Sequence, residues 1–321
     1  MLRRRSVLLL LLLWPAAASA QQIVESAGSR ALGMAGAFVG VADDATAVYW
    51  NPAGLASGPP GGVAIGWVDF RTGDRSGAAK PGPTHRRSRF VSLGTWPLGL
   101  SYGQFREGAL VAGPDGETRF SVLEISQFSA TVLQTLVQGL VVGTTLKYLR
   151  GGMVSGLAGG TSARAALDAA TDLESPSDGR FDLDLGLMAD LRRARFGLTV
   201  RNLREPTFGE VEESAIQLKR HSRMGLAVLP TDGLTLAMDL DLDTVDLRDG
   251  PRRILAFGGE NQFDRWALRG GVRWSLEGSR RTAGAVGLSV RIRPGAWVDG
   301  HYTQGRVEAD RGFGVALRAG F

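Results

Sequence analysis

The sequence predicts an all-β fold, a transmembrane antiparallel β-barrel of about 14 strands with an N-terminal hatch segment in its lumen. Three observations predict it. The carboxy-terminal segment alternates apolar with small or charged residues and ends on Phe321. The candidate strands are long, whereas strands of a soluble β-sandwich, which also alternate, are nearer five or six residues. Tight turns also alternate with longer loops along the chain, as they do in outer-membrane barrels.

The first element, residues 1–20, has the pattern of a cleaved signal peptide. Three arginines at 3–5 precede an apolar run at 7–14 and an Ala-x-Ala cleavage site at 18–20. The apolar run is too short for a spanning helix, which needs about 20 residues. No later stretch is long and apolar enough either, so that a closed barrel is the structure left for crossing a membrane. We therefore expect export to the outer membrane of a Gram-negative-type cell, with outer-membrane lipid around the barrel.

The second element, residues 21–60, does not alternate as a strand does. Glycine and alanine dominate its first part, which allows its backbone to approach other backbone closely. Asp43 and Asp44 are placed to cap a turn of small residues, and Asn51 followed by Pro52 is a helix-start signal. Irregular backbone is tolerated at membrane depth only when it is buried in protein or lines a cavity. We therefore place this hatch inside the barrel.

The third element is the barrel, residues 61–321. Alternation and turn residues predict strands at 61–70, 87–96, 98–106, 118–134, 138–150, 180–191, 195–203, 221–229, 233–244, 252–261, 265–275, 283–293, 295–304 and 311–321. An even strand number puts both ends of the barrel on the periplasmic side, and the longest loop, 151–179, outside the cell.

The strands also predict a charged lumen. Charges that face lipid at mid-depth cost about 2–4 kcal/mol for Arg or Lys, so charges confined to one strand face are expected to point inward. Two interpretations remain open: the charges pair with one another and with the hatch, which is favoured, or they form a polar path or a hatch-docking site. The lumen-facing charges are Asp182, Asp184, Asp239, Asp241, Asp243, Arg269, Arg273, Arg291 and Arg318.

Composition and motifs argue against several classes of function. Removing the three arginines of residues 1–20 leaves 34 basic against 32 acidic residues, too small an excess for a nucleic-acid partner. The chain has no cysteine, and its three histidines lack metal-ligand spacing. No Gly-x-Ser-x-Gly, Walker or Rossmann motif occurs. We expect no enzyme, no metal and no cofactor.

The run 28–56 resembles the amino-terminal signature of the FadL/PorV superfamily of outer-membrane barrels. The resemblance implies a hatch that closes a 14-stranded barrel, with its Asn-Pro-Ala element packed inside. The hatch residues that carry the match are Gly28, Arg30, Gly33, Gly36, Asp43, Asp44, Trp50, Asn51, Pro52 and Ala53.

The resemblance also implies a function. The transport members pass hydrophobic molecules through the lumen and out through a wall gap at a kinked third strand. Gly99 and Gly103 fall in that strand here, although ordinary barrel packing is the favoured explanation for them. The implied function is a FadL-like channel for passive uptake of small hydrophobic ligands, fatty-acid or aromatic-like, gated by the hatch. The alternative is a PorV-like barrel that docks or shuttles secretion-system or surface proteins without transport, because the loops are mostly short.

Overall fold

The computed structural model describes residues 26–71, 84–112, 117–158, 165, 169, 178–208, 216–247, 250–278, 281–305 and 311–321. The predicted signal peptide lies outside the described residues, as does most of the 151–179 loop. The strands are β1 (Gly61–Arg71), β2 (Thr84–Thr95), β3 (Leu98–Ala112), β4 (Thr118–Val137), β5 (Leu140–Leu157), β6 (Asp178–Asp190), β7 (Ala194–Arg201), β8 (Thr207–Phe208), β9 (Ile216–Gln217), β10 (His221–Thr231), β11 (Leu234–Asp241), β12 (Val245–Leu247), β13 (Gly250–Arg252), β14 (Ile254–Gln262), β15 (Trp266–Ser275), β16 (Thr282–Arg293), β17 (Ala296–Gly305) and β18 (Gly312–Gly320).

Fourteen of these strands close into an antiparallel barrel, which confirms the predicted fold. Their order is β1-β18-β17-β16-β15-β14-β11-β10-β7-β6-β5-β4-β3-β2. The other four form two small hairpins, β8 with β9 and β12 with β13, in the loops that follow β7 and β11. Turns of two or three residues join neighbouring barrel strands at one end, here called the turn end, and the longer connections lie at the opposite loop end.

The outer surface of the barrel is apolar because alternate residues of every strand point outward. On β18, Phe313, Val315 and Leu317 are each about half exposed, at 48–52%. On β16, Val286, Leu288 and Val290 are exposed in the same way. Ser289, which lies between Leu288 and Val290, is fully buried. A closed barrel with such an exterior satisfies its backbone internally and suits a bilayer.

The barrel wall is uneven in height. Strand β4 has 20 residues and β5 has 18, whereas β7 and β11 have only 8 each. About 9–11 tilted residues cross a bilayer, so the β4–β5 side rises well beyond the rim at the loop end. The inner face of this tall hairpin packs against Phe208 of β8 and against Leu218, which follows β9.

The wall is continuous at β3, the strand in which the sequence analysis considered a kink. Along its described length β3 pairs with β2 and with β4 without a shift in register. A Cβ added at Gly99 would lie 2.7 Å from Cγ1 of Val48, and one at Gly103 would lie 2.7 Å from the Phe105 ring. Both glycines therefore make room for side chains inside the barrel, which is the packing explanation.

The described part of the hatch holds three short helices: α1 (Ser29–Gly33), α2 (Ala47–Trp50) and a 3-10 helix, Pro52–Ser57. Within the described residues, no helix is both long and apolar enough to cross a membrane.

Candidate functional site

The hatch fills the lumen. Large side chains along the hatch, such as Met34, Phe38 and Trp50, are 0–1% exposed. A Cβ added at Gly33 would lie only 3.2 Å from the backbone of Gly287 on β16, so hatch and wall meet backbone to backbone. Two turn positions require glycine outright, because Gly28 and Gly36 have φ of 78° and 85°. The hatch therefore forms a closely packed core inside the barrel.

The Asn-Pro-Ala element binds the hatch to the wall. The Asn51 Nδ2 donates to the carbonyls of Val39 in the hatch and Leu187 on β6, at 3.0 Å each, and its Oδ1 accepts from the amide of Ala53. Asn51 thus caps the 3-10 helix whose first residue is Pro52. Glycine at 186 accommodates it, since a Cβ there would lie 2.3 Å from the Asn51 Oδ1.

Arg30 on α1 is the centre of a buried ion-pair cluster. Its guanidinium contacts Asp43 at 2.5 Å and Asp44 at 3.0 Å within the hatch, and Glu260 of β14 at 2.7 Å. Burial lowers the pKa of Arg30, but Asp43 and Glu260 raise it more, so that the pKa lies well above its ordinary value. Burial likewise raises the pKa of Asp44, but Arg30, Arg318 and the Thr46 side chain together lower it more, to below its usual range. Arg30 and Asp44 therefore both stay charged.

Glu260 extends this cluster into the wall. Its carboxylate also pairs with Arg269 on β15, whose Nη1 lies 3.5 Å from Asp299 on β17. Asp299 in turn pairs with Arg318 at 2.9 Å. Two predicted lumen charges, Arg269 and Arg318, are thus joined to the hatch through Glu260, which the sequence analysis did not single out. The sequence did offer one indication of Glu260: alternation places it on the inward face of β14, two residues from Gly258.

Asp239 connects the wall to the hatch backbone. Its Oδ2 accepts from the amides of Phe38 and Val39 at 2.9 and 2.8 Å. Asp241 and Asp243, which follow Asp239 at every second position, bind groups of the wall instead. Asp241 pairs with Arg223 at 2.5 Å, and Asp243, beyond the end of β11, accepts from the Ser222 amide at 2.8 Å.

Asp182 and Asp184 lie beside a fully buried lysine that the sequence analysis missed. The Lys147 Nζ lies 2.7 Å from Asp182 and 2.6 Å from Asp184, and donates to the Asn202 Oδ1 at 2.7 Å. The backbone amides of Asn202 and Arg204 donate to the same two carboxylates. The cluster thus fixes the chain where it leaves β7 and crosses toward the β8–β9 hairpin. The inward alternation of β5 placed Lys147 in the lumen.

The remaining predicted charges sit at different depths. Arg273 is nine-tenths buried on the inner face of β15. Arg291 lies near the turn end of β16, where its guanidinium pairs with Asp264 of a tight turn and lies over the Trp297 ring. In the described part of the chain, no three His, Cys, Asp or Glu side chains form a possible metal site.

An aromatic cluster covers the loop-end side of the hatch. Tyr49 packs against Trp50 of the hatch and against Phe90 and Phe105 of the wall, with ring centroids 5.6–5.8 Å apart. The guanidinium of Arg201 lies 4.0 Å from the Tyr49 ring. A cavity of about 30 Å³ borders Tyr49, and its lining includes Phe105, Ile125, Gln127, Arg201, Asn202 and Leu218.

Above this cavity, at the loop end, the mouth of the barrel contains a cluster of apolar side chains. The β8–β9 hairpin and the segment after it bring Phe208 and Leu218 onto the inner face of the tall β4–β5 hairpin. We call this group of buried side chains the mouth cluster; its members are Leu123, Ile125, Leu149, Phe208 and Leu218. Ile125 and Leu218 also line the cavity, so that packed apolar side chains link the mouth cluster to the aromatic cluster.

The turn-end side of the hatch is polar. A cavity of about 320 Å³ lies there, between the Arg30 cluster and the tight turn that carries Arg192 and Arg193. The hatch thus separates an apolar approach at the loop end from a charged vestibule at the turn end.

Comparison with solved structures identifies the type of this closed 14-stranded barrel with an internal hatch. The CymD monoaromatic hydrocarbon channel superposes with a TM-score of 0.64 at 14% identity, over 92% of this chain and 97% of the channel. A Pseudomonas aeruginosa FadL homologue gives 0.65 at 11% identity, over 94% and 100%. The Ralstonia pickettii toluene transporter TbuX gives 0.60 at 14% identity, over 92% and 99%. This chain has the FadL-type fold.

Sequence comparison adds little to this. A family model described as the F plasmid transfer operon TraF protein matches residues 121–241, which run from β4 to the end of β11. A search of curated proteins finds no match.

Proposed function

We propose that this protein is an outer-membrane channel for the passive uptake of small hydrophobic molecules, gated by its hatch. Residues 1–20 are its signal peptide, 21–60 the hatch and 61–321 the barrel. The observation that carries the proposal is the set of packed apolar side chains that links the mouth cluster to Tyr49, because small hydrophobic ligands bind among apolar and aromatic side chains. Similar folds occur in a monoaromatic hydrocarbon channel and in a toluene transporter.

The hatch is the gate in this proposal because it fills the lumen below the aromatic cluster. It is held by Glu260 on Arg30, by Asp239 on the amides of Phe38 and Val39, and by Asn51 on β6. Since β3 is continuous in the described wall, a ligand that reaches Tyr49 continues only when the hatch shifts.

Uptake by whole cells tests the proposal. Cells that express the full chain are expected to take up isotope-labelled toluene or a medium-chain fatty acid faster than cells with an empty vector. Leu218→Asn, in the mouth cluster, is expected to reduce the uptake. Leu276→Asn, at an exposed leucine outside that cluster, is the matched control and should leave it unchanged. Uptake equal to the empty vector for both molecules would refute the channel.

A further inference from the structure

The vestibule is the cavity of about 320 Å³ on the turn-end side of the hatch, and its described lining residues carry guanidinium and carboxylate groups in equal number. We propose that it is a binding site for a small zwitterion with the head group of an α-amino acid. The vestibule lies on the opposite side of the hatch from the mouth cluster. The inference therefore goes beyond the proposed uptake of hydrophobic molecules and does not depend on it.

The charges of the lining determine the charge of the ligand. An anion would meet several carboxylates in the vestibule, and a cation would meet several guanidinium groups. A dipolar ligand of zero net charge places each of its ends beside a group of opposite charge. The guanidinium groups are those of Arg30, Arg192 and Arg193, and the carboxylates are those of Asp43, Asp232 and Glu260.

The deep wall and the rim of the vestibule differ in how their charges are paired. In the deep wall, the Arg30 guanidinium lies 2.5 Å from Asp43 and 2.7 Å from Glu260. Arg192 and Asp232 lie at the rim and are exposed. Within the described residues, the side chains of these two form no ion pair and no hydrogen bond. Arg192 is therefore the partner that we assign to the carboxylate of the ligand, and Asp232 the partner of its ammonium.

Hydrogen bonds between two neighbouring turns hold the rim in place. The Arg193 Nη1 donates to the Pro230 carbonyl at 2.9 Å, and the Leu229 amide donates to the Arg193 carbonyl at 2.8 Å. Arg193 is thus a positioning residue, because it joins the turn of Arg192 to the turn of Asp232. Groups that are fixed before a ligand arrives lose less entropy when it binds.

Arg192 has an uncommon backbone conformation for its residue type. Its φ is 70°, in the left-handed region that favours glycine, and its amide donates to the Asp190 Oδ1 at 2.8 Å. Non-glycine residues in this region cluster at functional sites. A contact with a ligand gives a reason for an arginine at this position of the turn.

The rest of the lining suits a small polar ligand. A volume of about 320 Å³ is at the lower end of the range for small-molecule sites, about 300–1,000 Å³. The hydroxyls of Thr231 and Thr235 and the carboxamide of Gln262 add hydrogen-bonding groups for a carboxylate or an ammonium. Among the described lining residues, Leu229 alone has a large apolar side chain. We therefore expect amino acids with small side chains to be preferred to aromatic ones.

Fluorine NMR titrations of the purified full chain test the site. The probes are 3-fluoroalanine, 3-fluoropropanoate, which lacks its ammonium, and 2-fluoroethylamine, which lacks its carboxylate. We expect the zwitterion to bind about fivefold more tightly than either single-charge probe, the upper range for an ion pair that is exposed to water. Arg192→Gln should lower the affinity for 3-fluoroalanine about fivefold and leave that for the amine unchanged. Asp232→Asn should lower it to the level of 3-fluoropropanoate.

Arg265→Gln and Asp264→Asn are the matched controls, because both residues are exposed on the turn between β14 and β15 and do not line the vestibule. Neither should change the ratios. The wild-type ratios decide the question even where a variant fails to fold. If 3-fluoropropanoate binds as tightly as 3-fluoroalanine, or if 3-fluoroalanine shows no saturable binding, the zwitterion site is overturned. Uptake of toluene or fatty acid is measured separately in whole cells, so that this failure leaves the proposed channel standing.

Discussion

Arg30 and Glu260, 230 residues apart in sequence, face each other through two parallel hydrogen bonds inside the barrel. The Arg30 Nε donates to Oε2 at 2.9 Å and its Nη2 donates to Oε1 at 2.7 Å. Their side chains are only 8% and 4% exposed. A bidentate pair of this kind fixes orientation as well as distance, so it sets how the hatch sits against β14.

Glu260→Gln is expected to loosen the hatch. Removing one partner of a buried ion pair costs about 3–5 kcal/mol, because the other charge stays buried. Hydrogen exchange of the α1 amides should therefore accelerate. Asp264→Asn, which breaks the pair of Arg291 with a carboxylate that is 83% exposed, is the matched control and should leave these amides protected. Equal exchange in the two variants would show that Glu260 does not hold the hatch.

Asp239→Asn is expected to free the middle of the hatch. The neutral amide is a weaker acceptor for the amides of Phe38 and Val39 than the carboxylate it replaces. Protease should then cut the hatch faster. Asp243→Asn serves for comparison because Asp243 accepts from Ser222, on β10 of the wall. If both variants keep wild-type protection, hatch docking on Asp239 is refuted.

Much of this architecture was predictable because lipid imposes a period of two on every strand. Phe313, Val315 and Leu317 must face outward together, and this gave the strand positions and the inward faces. Alternation specifies a face but not a partner across the lumen. The pairing of Glu260 with Arg30, and of Lys147 with Asp182 and Asp184, therefore needed the three-dimensional structure.

The mouth cluster was even harder to predict from the sequence. Strands β8 and β9 have two residues each, too few to show a period, and their contacts with Leu123 and Leu149 depend on how the chain turns after Arg201. The sequence analysis placed no strand between 203 and 221, so the contacts of Phe208 and Leu218 with the β4–β5 hairpin were not predicted.

A disulfide between hatch and wall is expected to stop uptake. A Cβ added at Gly62 of β1 would lie 3.9 Å from that of Ala45, within the usual Cβ separation for a disulfide. The chain has no cysteine, so the Ala45→Cys/Gly62→Cys variant forms this bond alone. Oxidised cells should lose toluene uptake and regain it on reduction, while each single variant transports under both conditions. Full uptake by the oxidised variant would mean that the hatch need not leave this position.

Gly186→Ala is expected to destabilise the protein, whereas Gly300→Ala is not. The new methyl at 186 would lie 2.3 Å from the Asn51 Oδ1 and 2.8 Å from Pro52, while nothing lies within 4 Å at 300. Overpacking of this kind costs about 1–3 kcal/mol. Urea unfolding should show a lower midpoint for the first variant only. Matching midpoints would show that the Asn-Pro-Ala element moves aside readily.

Acid should release the hatch only at low pH. Burial raises the pKa of Asp44, but Arg30, Arg318 and the Thr46 side chain together lower it more, so the folded-state pKa lies below the unfolded one, about 3.9. A lowered carboxyl pKa gives stability that is fully present above the unfolded value and is lost as the pH falls through the folded one. Hatch amides should therefore remain protected from pH 8 to pH 5 and lose protection below about pH 4. Asp44→Asn should weaken protection at neutral pH and flatten this acid dependence. A loss of protection between pH 7 and 5 in the wild type would assign the control of the hatch to another group.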